Sequence, residues 1–209
     1  WEHYVWNKAK ILTAVSQEDA AVIRKDIGDR VTVVPNGVDL KIFRYRKPTI
    51  LNCPTILFVG NFRWSPNREA ADTLVHDIWP RIQKKYSGAR LVMVGHDMPK
   101  MYKQFERKTD RIEDVYRDAD FLVAPHAIAG GTKFKMLEAM ATGLPIVTSR
   151  EGAGGLSMKA GVHYLEAGQT TEFVDQIKRL CDNTTLAQTI AQNARELVET
   201  TYTWDDIAQ

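Results

Sequence analysis

The chain has 209 residues, 44% of them hydrophobic and 26% charged, with a net charge of +2. That is enough apolar chain for one large domain with a buried core, or a domain plus a piece of a second. So small a basic excess excludes a dedicated nucleic-acid binder, and no apolar run is long enough to span a bilayer.

Short apolar runs alternate with longer amphipathic segments. Residues 9–15 (AKILTAV) read as a strand. Residues 16–28 read as a helix, with Ser16 as its cap, Asp19 at the third helical position and Gly28 as its stop. RVTVV (30–34) is a strand closed by the turn Pro35-Asn36-Gly37. Residues 41–53 (KIFRYRKPTILNC) show no clean period and read as a linker or domain boundary.

A fresh series then begins. TILFVG (55–60) is a strand. Residues 66–86 form a helix with Pro66 in its first turn and a bend expected at Trp79-Pro80. ARLVMVG (89–95) is a strand, IEDVYRDA (112–119) a helix, DFLVAP (120–125) a strand and LPIVTS (144–149) another. VHYL (162–165) is a short strand, residues 170–182 and 185–202 are helices, and TWDDIAQ starts one more. Continuous apolar runs such as ILFV, LVMV and FLVA suit strands buried on both faces. Alternating with helices, they predict right-handed βαβ units and a doubly wound parallel sheet from about residue 54 onward. Ligands of such sheets sit at the carboxyl ends of the strands.

The start of the chain shows no signal-peptide pattern. Its first residue is Trp rather than Met, which suggests a piece of a longer protein whose start, with any targeting signal, lies elsewhere. Cys53 and Cys181 are far apart and lack metal-ligand spacing, so a reducing compartment is expected. Asn183-Thr184-Thr185 fits a glycosylation sequon, yet a helix cap is the simpler role for Asn183.

The stretch HAIAGGTKFKMLEAMATGLPIVTS (126–149) carries the chemistry. It is a strand end, a glycine-rich loop, a short helix and a strand. A helix start leaves N–H groups unpaired and bears roughly half a positive charge. Gly130 and Gly131 let an anion approach the backbone with no Cβ in the way, and Thr132 offers a cap or a hydroxyl. Lys133 and Lys135 then put cations at the wrong end of the helix dipole, a few tenths of a kcal/mol in cost that a bound phosphate would remove. Glu138 lies three residues after Lys135, one turn along the same face. A diphosphate at the helix start and a ribose diol on Glu138 would use both; the plainer reading is a solvated i,i+3 salt bridge. Leu137, Met140, Ala141 and Leu144 follow core spacing.

Other loops carry weaker signals. Asn61, Arg63 and Asn67 in VGNFRWSPN (59–67) suit a ligand and a turn with a helix cap equally well. REGAGGL (150–156) has Ser157 where the dinucleotide fingerprint needs its third glycine, and GGTK lacks P-loop spacing. Asp118-Ala119-Asp120 lies where a helix end runs into a buried strand, poor ground for a metal, and the histidines have no ligand spacing. His126 stands at a strand end, within reach of a ligand or as a plain loop residue.

Taken in order, VVPNGVDLKIF, ILFVGNFRWSPN, IWPRIQKKYSGARLVMVG, VYRDADFLVAP, GGTKFKMLEAMATGLPIVTS and NARELVETTYTW resemble the GT-B fold glycosyltransferases of glycosyltransferase family four. The resemblance spans nearly the whole chain. It implies that residues 1–40 are the tail of an N-terminal acceptor domain with the crossing segment, and 41–53 a linker. Residues 54–201 would be the Rossmann-like donor domain, the C-terminal half of the GT-B fold, and 202–209 the start of the helix that crosses back.

By the same resemblance Glu138 holds the ribose hydroxyls and Lys135 stands near the diphosphate. Gly131 and Thr132 face phosphate and sugar, Pro125 ends the preceding strand, and Arg111 and Ile112 lie where the base is read. Two departures stand out. Gly130 occupies the place of the family's first glutamate, which contacts the transferred sugar. Asn61 and Asn67 occupy the places of its arginine and lysine, with Arg63 or Arg68 as candidate substitutes.

The implied function is the donor-binding part of a retaining glycosyltransferase that moves a sugar from a nucleotide-diphosphate sugar to a glycan or lipid-linked acceptor in bacterial cell-surface polysaccharide synthesis. It would need no cofactor and no metal, would bind no nucleic acid, and would act in the cytoplasm, with peripheral association at the inner membrane face left open. The chain alone would bind donor but hardly turn over, because the acceptor wall of the cleft is not in it. A nucleotide-sugar epimerase of the same fold and a non-catalytic sugar-nucleotide binding module remain the alternatives.

Overall fold

The computed structural model describes residues 2–49, 53–128 and 133–208. The chain opens with helix α1 (Glu2–Lys8), which the sequence pattern had not suggested, and then a small βαβ unit. Strand β1 (Leu12–Ala14) and strand β2 (Val31–Val33) pair in parallel, Leu12 opposite Val31, around helix α2 (Gln17–Ile27). Both strands are shorter than the apolar runs that contain them. Ser16 caps α2, its hydroxyl accepting from the Asp19 amide at 3.0 Å, and Gly28 closes it at a φ of 66°. Ala14, Ala20 and Val31 form this unit's own small core.

The second sheet has five parallel strands: β3 (Thr55–Val59), β4 (Arg90–Val94), β5 (Phe121–Ala124), β6 (Ile146–Thr148) and β7 (Leu165–Glu166). Their order is β4-β3-β5-β6-β7. The helices are α3 (Ser65–Asp72), α4 (Trp79–Lys85), α5 (Ile112–Asp118), α6 (Phe134–Thr142), α7 (Arg150–Ala153), α8 (Thr170–Asp182), α9 (Thr184–Thr201) and α10 (Trp204–Ile207). The doubly wound architecture expected from the alternation is what forms. Side chains alternate across the strands, so two cores result. Ile56, Phe58, Phe121 and Val123 meet α3, α4 and α8 on one face. Leu57, Leu122, Ala124 and Ile146 meet α5 and α6 on the other, and α9 supplies Ala187 and Ile190 to the first core and Ala194 and Val198 to the second.

Three local expectations change. The helix expected over 66–86 is not one regular α-helix. A π-helical segment, Thr73–Ile78, joins α3 to α4, and the Trp79 amide bonds to the Leu74 carbonyl. Proline has no N–H to give, and the wider turn absorbs the defect upstream of it. Residues 150–153 are helical, because the Ser149 hydroxyl accepts from the Gly152 amide at 3.0 Å. The strand expected over 162–165 begins only at Leu165. A 3-10 segment, Lys100–Phe105, fills a stretch left unassigned.

Residues 41–49 lie against the large domain. Phe43 packs edge-on to Tyr116, the Arg46 amide bonds to the Thr142 carbonyl at 2.9 Å, and Gln188 bonds to the Pro48 carbonyl at 3.1 Å. Asn183 caps α9, accepting from the Leu186 amide at 2.9 Å, and both cysteines are free.

Because β3 lies between β4 and β5, the loop leaving β3 runs to one side and the chain returns on the other. That topological switch opens a crevice at the carboxyl ends of these strands. Glycines keep it open. A Cβ on Gly95 would fall 1.7 Å from the Gly60 carbonyl oxygen, and one on Gly60 would press on Asn67 at 3.0 Å.

Candidate functional site

A cleft of about 890 Å³ occupies this crevice. Its walls are the ends of β3 (Gly60, Asn61) and β4 (Gly95, His96), the rim Glu106–Asp110, and the first turns of α6 (Lys135, Glu138). The volume lies in the range of pockets that enclose a small molecule or cofactor.

Lys135 is the centre of the site. Its Nζ donates to Asn67 Oδ1 at 2.9 Å and lies 3.1 Å from His126 Nε2. His126 Nε2 is also 3.0 Å from Asn67 Oδ1, so the three polar atoms form a triangle. Asn67 and His126 are 5% and 4% exposed, so water cannot replace these contacts. Asn67 is oriented in turn by its amide, which donates to the Asn61 carbonyl at 2.9 Å. The His126 ring stacks on Phe58, with centroids 6.4 Å apart and planes 9° apart, and Lys135 Nζ stands 5.6 Å over the same Phe58 ring. Ser149 donates its hydroxyl to the His126 carbonyl, which ties β6 to this loop.

Electrostatics follow from burial. Desolvation, and then the charge of Lys133, pull the Lys135 ammonium down to about 7. Desolvation, and then the Lys135 charge, push the His126 imidazole down to about 3, so it is neutral at physiological pH. Among the described residues no carboxylate forms an ion pair with Lys135 or Lys133. Lys133 instead donates to the Glu151 carbonyl at 3.3 Å, and burial lowers its pKa too. Burial raises the Glu138 carboxyl, against a hydrogen bond from the Tyr116 hydroxyl.

The candidate residues separate into three groups. Lys135, Glu138, Ile112 and Asn61 line the cleft. His126 does not line this cleft but meets Lys135 from behind it, and Lys133 turns toward α7. Arg63 is not brought in: its guanidinium bonds Asp97 at 2.6 Å out in solvent. Arg111 is likewise drawn off by Glu113 at 3.0 Å and Asp114 at 3.3 Å. Gly130, Gly131 and Thr132 lie outside the described residues.

Asp118 pairs with Arg107, and Asp120 accepts from the Thr55 amide at 2.8 Å, so the two carboxylates face different partners. Among the described residues no three His, Cys, Asp or Glu side chains are placed to share a metal ion. The sequence reading missed Tyr116 and the rim Glu106–Asp110. Tyr116 reads as one more apolar position of a helix. The rim belongs to a charged stretch with no period, and only the pairing of Met93 with Glu106 folds it over β4.

Over 202 residues the chain is 25% identical to a phosphatidyl-myo-inositol mannosyltransferase of Mycobacterium leprae, a match covering 87% of this chain and 52% of that protein. Over 128 residues it is 26% identical to a lipopolysaccharide 1,2-N-acetylglucosaminetransferase of Salmonella typhimurium, covering 60% of this chain and 31% of that one. The chain therefore matches about half of the first relative's length and about a third of the second's. Among solved structures it superimposes on Anabaena HepE in complex with UDP and glucose, with a TM-score of 0.74 at 15% identity, over 99% of this chain and 65% of that one. That likeness is one of fold, a GT-B fold. Residues 53–183, more than half of the sequence, match the family model described as glycosyl transferases group 1, and the chain belongs to that family.

Proposed function

We propose that this chain is the donor-binding part of a retaining glycosyltransferase, of glycosyltransferase family four, that uses a nucleotide-diphosphate sugar. One observation carries the reading: a cation partly withdrawn from water, with no carboxylate paired to it among the described residues, stands at the cleft wall beside a half-buried carboxylate one turn away. An anion and a diol at that spacing would satisfy both. UDP, which HepE holds in its complex, has those two groups.

In this reading the diphosphate lies over the start of α6 against Lys135, the ribose diol donates to Glu138, and the base lies toward Ile112 and the rim. Transfer of the sugar leaves charge on the departing diphosphate. Lys135 and the helix-start amides are already oriented toward that charge, and such preorganised donors need no rearrangement as it develops. The chain's own cations do this work, and no metal is called for. The acceptor, a glycan or lipid-linked sugar of bacterial cell-surface polysaccharide synthesis, would approach from a second domain, and the chain alone would turn over poorly. The enzyme would work in the cytoplasm, with peripheral contact at the inner membrane face; among the described residues no helix is long and apolar enough to cross a membrane.

Calorimetric titration with UDP, GDP, ADP and their sugar esters tests this. One nucleotide class should bind, and Lys135→Ala and Glu138→Ala should each weaken it. Binding that neither substitution changes would place the site elsewhere.

A further inference from the structure

We propose that Asn67 and His126 are positioning residues that hold the Lys135 amine only partly protonated near neutrality until a ligand arrives, and that a diphosphate entering the cleft completes its protonation. The inference rests on the donor-site reading above.

The hydrogen bonds carry it. An ammonium at Lys135 donates to Asn67 Oδ1 and needs the lone pair of His126 Nε2 as its second acceptor. The imidazole proton must then sit on Nδ1, which is buried and has no partner among the described residues. A buried N–H without an acceptor is among the rarest defects in folded proteins and is costly. If the proton is moved to Nε2, the ring can donate to Asn67 or to the amine, and the lysine is then best accommodated neutral. The triangle therefore opposes the charged lysine.

The surroundings point the same way. From α3 the group facing Lys135 is the neutral Asn67, from the loop after β5 the neutral His126, and from β3 the ring of Phe58. On α6 itself Lys133 repels it, and Glu138 forms no ion pair with it. From α5 Tyr116 offers only a long contact, 3.4 Å, to the Lys135 carbonyl. Glu106, Arg107, Lys108 and Asp110 stand on the rim of the same cleft, and none forms an ion pair with Lys135. Among the described residues the Phe58 face and the Asn67 oxygen favour the cation, and neither carries a full charge. Burial thus meets no compensating charge, in line with the lowering to about 7.

A diphosphate ester supplies the missing charge. The amine takes a proton from solvent and becomes an ammonium against the phosphate oxygens, and no bond of the nucleotide changes. Binding and protonation are then linked, so affinity must fall as pH rises above the free lysine's pKa.

The test is calorimetry with UDP-glucose, UDP-N-acetylglucosamine and GDP-mannose between pH 6 and 9, in buffers of different ionisation enthalpy. Sugar esters of diphosphates have no proton that titrates near neutrality, so any proton counted belongs to the protein. The expected uptake is about half a proton at pH 7 and nearly one at pH 8, with affinity falling about fivefold from pH 7 to 8 and nearly tenfold over the next unit. Lys135→Arg, charged throughout, should bind with a flat profile and no uptake. Asn67→Asp gives the lysine a carboxylate and should move the fall upward by about one unit or more, which a merely structural role for Asn67 would not do.

Wild-type binding that is flat with pH and free of proton uptake overturns the inference and leaves the donor site standing. An unchanged midpoint in a folded Asn67→Asp removes Asn67's part in it, and if that variant does not fold, the Lys135→Arg profile decides. Failure of all three sugar nucleotides to bind at every pH overturns the donor-site reading, and this inference with it.

Discussion

Helices α6 and α8 both begin just beyond the carboxyl ends of sheet strands, yet their first turns are opposites. At α8, Glu172 folds back so that its carboxylate accepts from the Gly168 amide at 2.7 Å and the Gln169 amide at 3.2 Å. The helix brings its own anion, as α2 does with Ser16 and Asp19. At α6 the cap position is Lys133, the first turn has no acid, and among the described residues no side chain caps it. Lys135 adds a second cation there. A helix start whose amides are closed by its own carboxylate has little to offer an anion, whereas one that opens on cations is left incomplete without one. On that difference rests the proposal that the crevice at α6, and not the one at α8, takes a phosphate.

Substitutions can break or sharpen that contrast. The largest effect is expected from Lys135→Ala, which should cost nucleotide binding about 2 kcal/mol or more, some thirtyfold in affinity, measured calorimetrically. Next comes acid. His126 has a folded pKa of about 3 against 6.5 for a free imidazole, so the unfolded chain takes up a proton first. The stability it supports is complete above pH 6.5 and is lost as pH falls from 6.5 toward 3, by roughly a few kcal/mol. Thermal unfolding across that range should show the loss, and His126→Gln should flatten it.

Phe134→Glu would give α6 the acid that α8 already has. It should leave stability unchanged or raise it by a few tenths of a kcal/mol while weakening nucleotide binding several-fold. The smallest change is the converse. Glu172→Ala should cost about 1 kcal/mol, a fall in Tm of about 2–4 °C, with nucleotide affinity unaltered. Equal effects of these last two substitutions on nucleotide binding would remove the contrast between the helices.

The sheet was legible because its strands are buried on both faces. Runs such as ILFV and FLVA have no other stable place than between two layers of helices. The helix limits were legible where a cap or a stop is written in local residues, as at Ser16, Gly28 and Asn183. The π-helical segment was not, because Pro80 announces a defect but not how the preceding turn takes it up.

At the site, the sequence by itself determined the strand end, the misplaced cations and a glutamate one helical turn on, since those depend only on spacing along one segment. It did not determine which charges stay free. Arg63, Arg111 and Lys135 are alike as residues, but two are taken up by nearby carboxylates and one is not. The partners that matter to Lys135 are Asn67 and His126, which stand on other elements and meet it only when the sheet closes. Tertiary structure decided that, because a charge is set by what is packed against it and by how much water is shut out, and neither is a property of a segment.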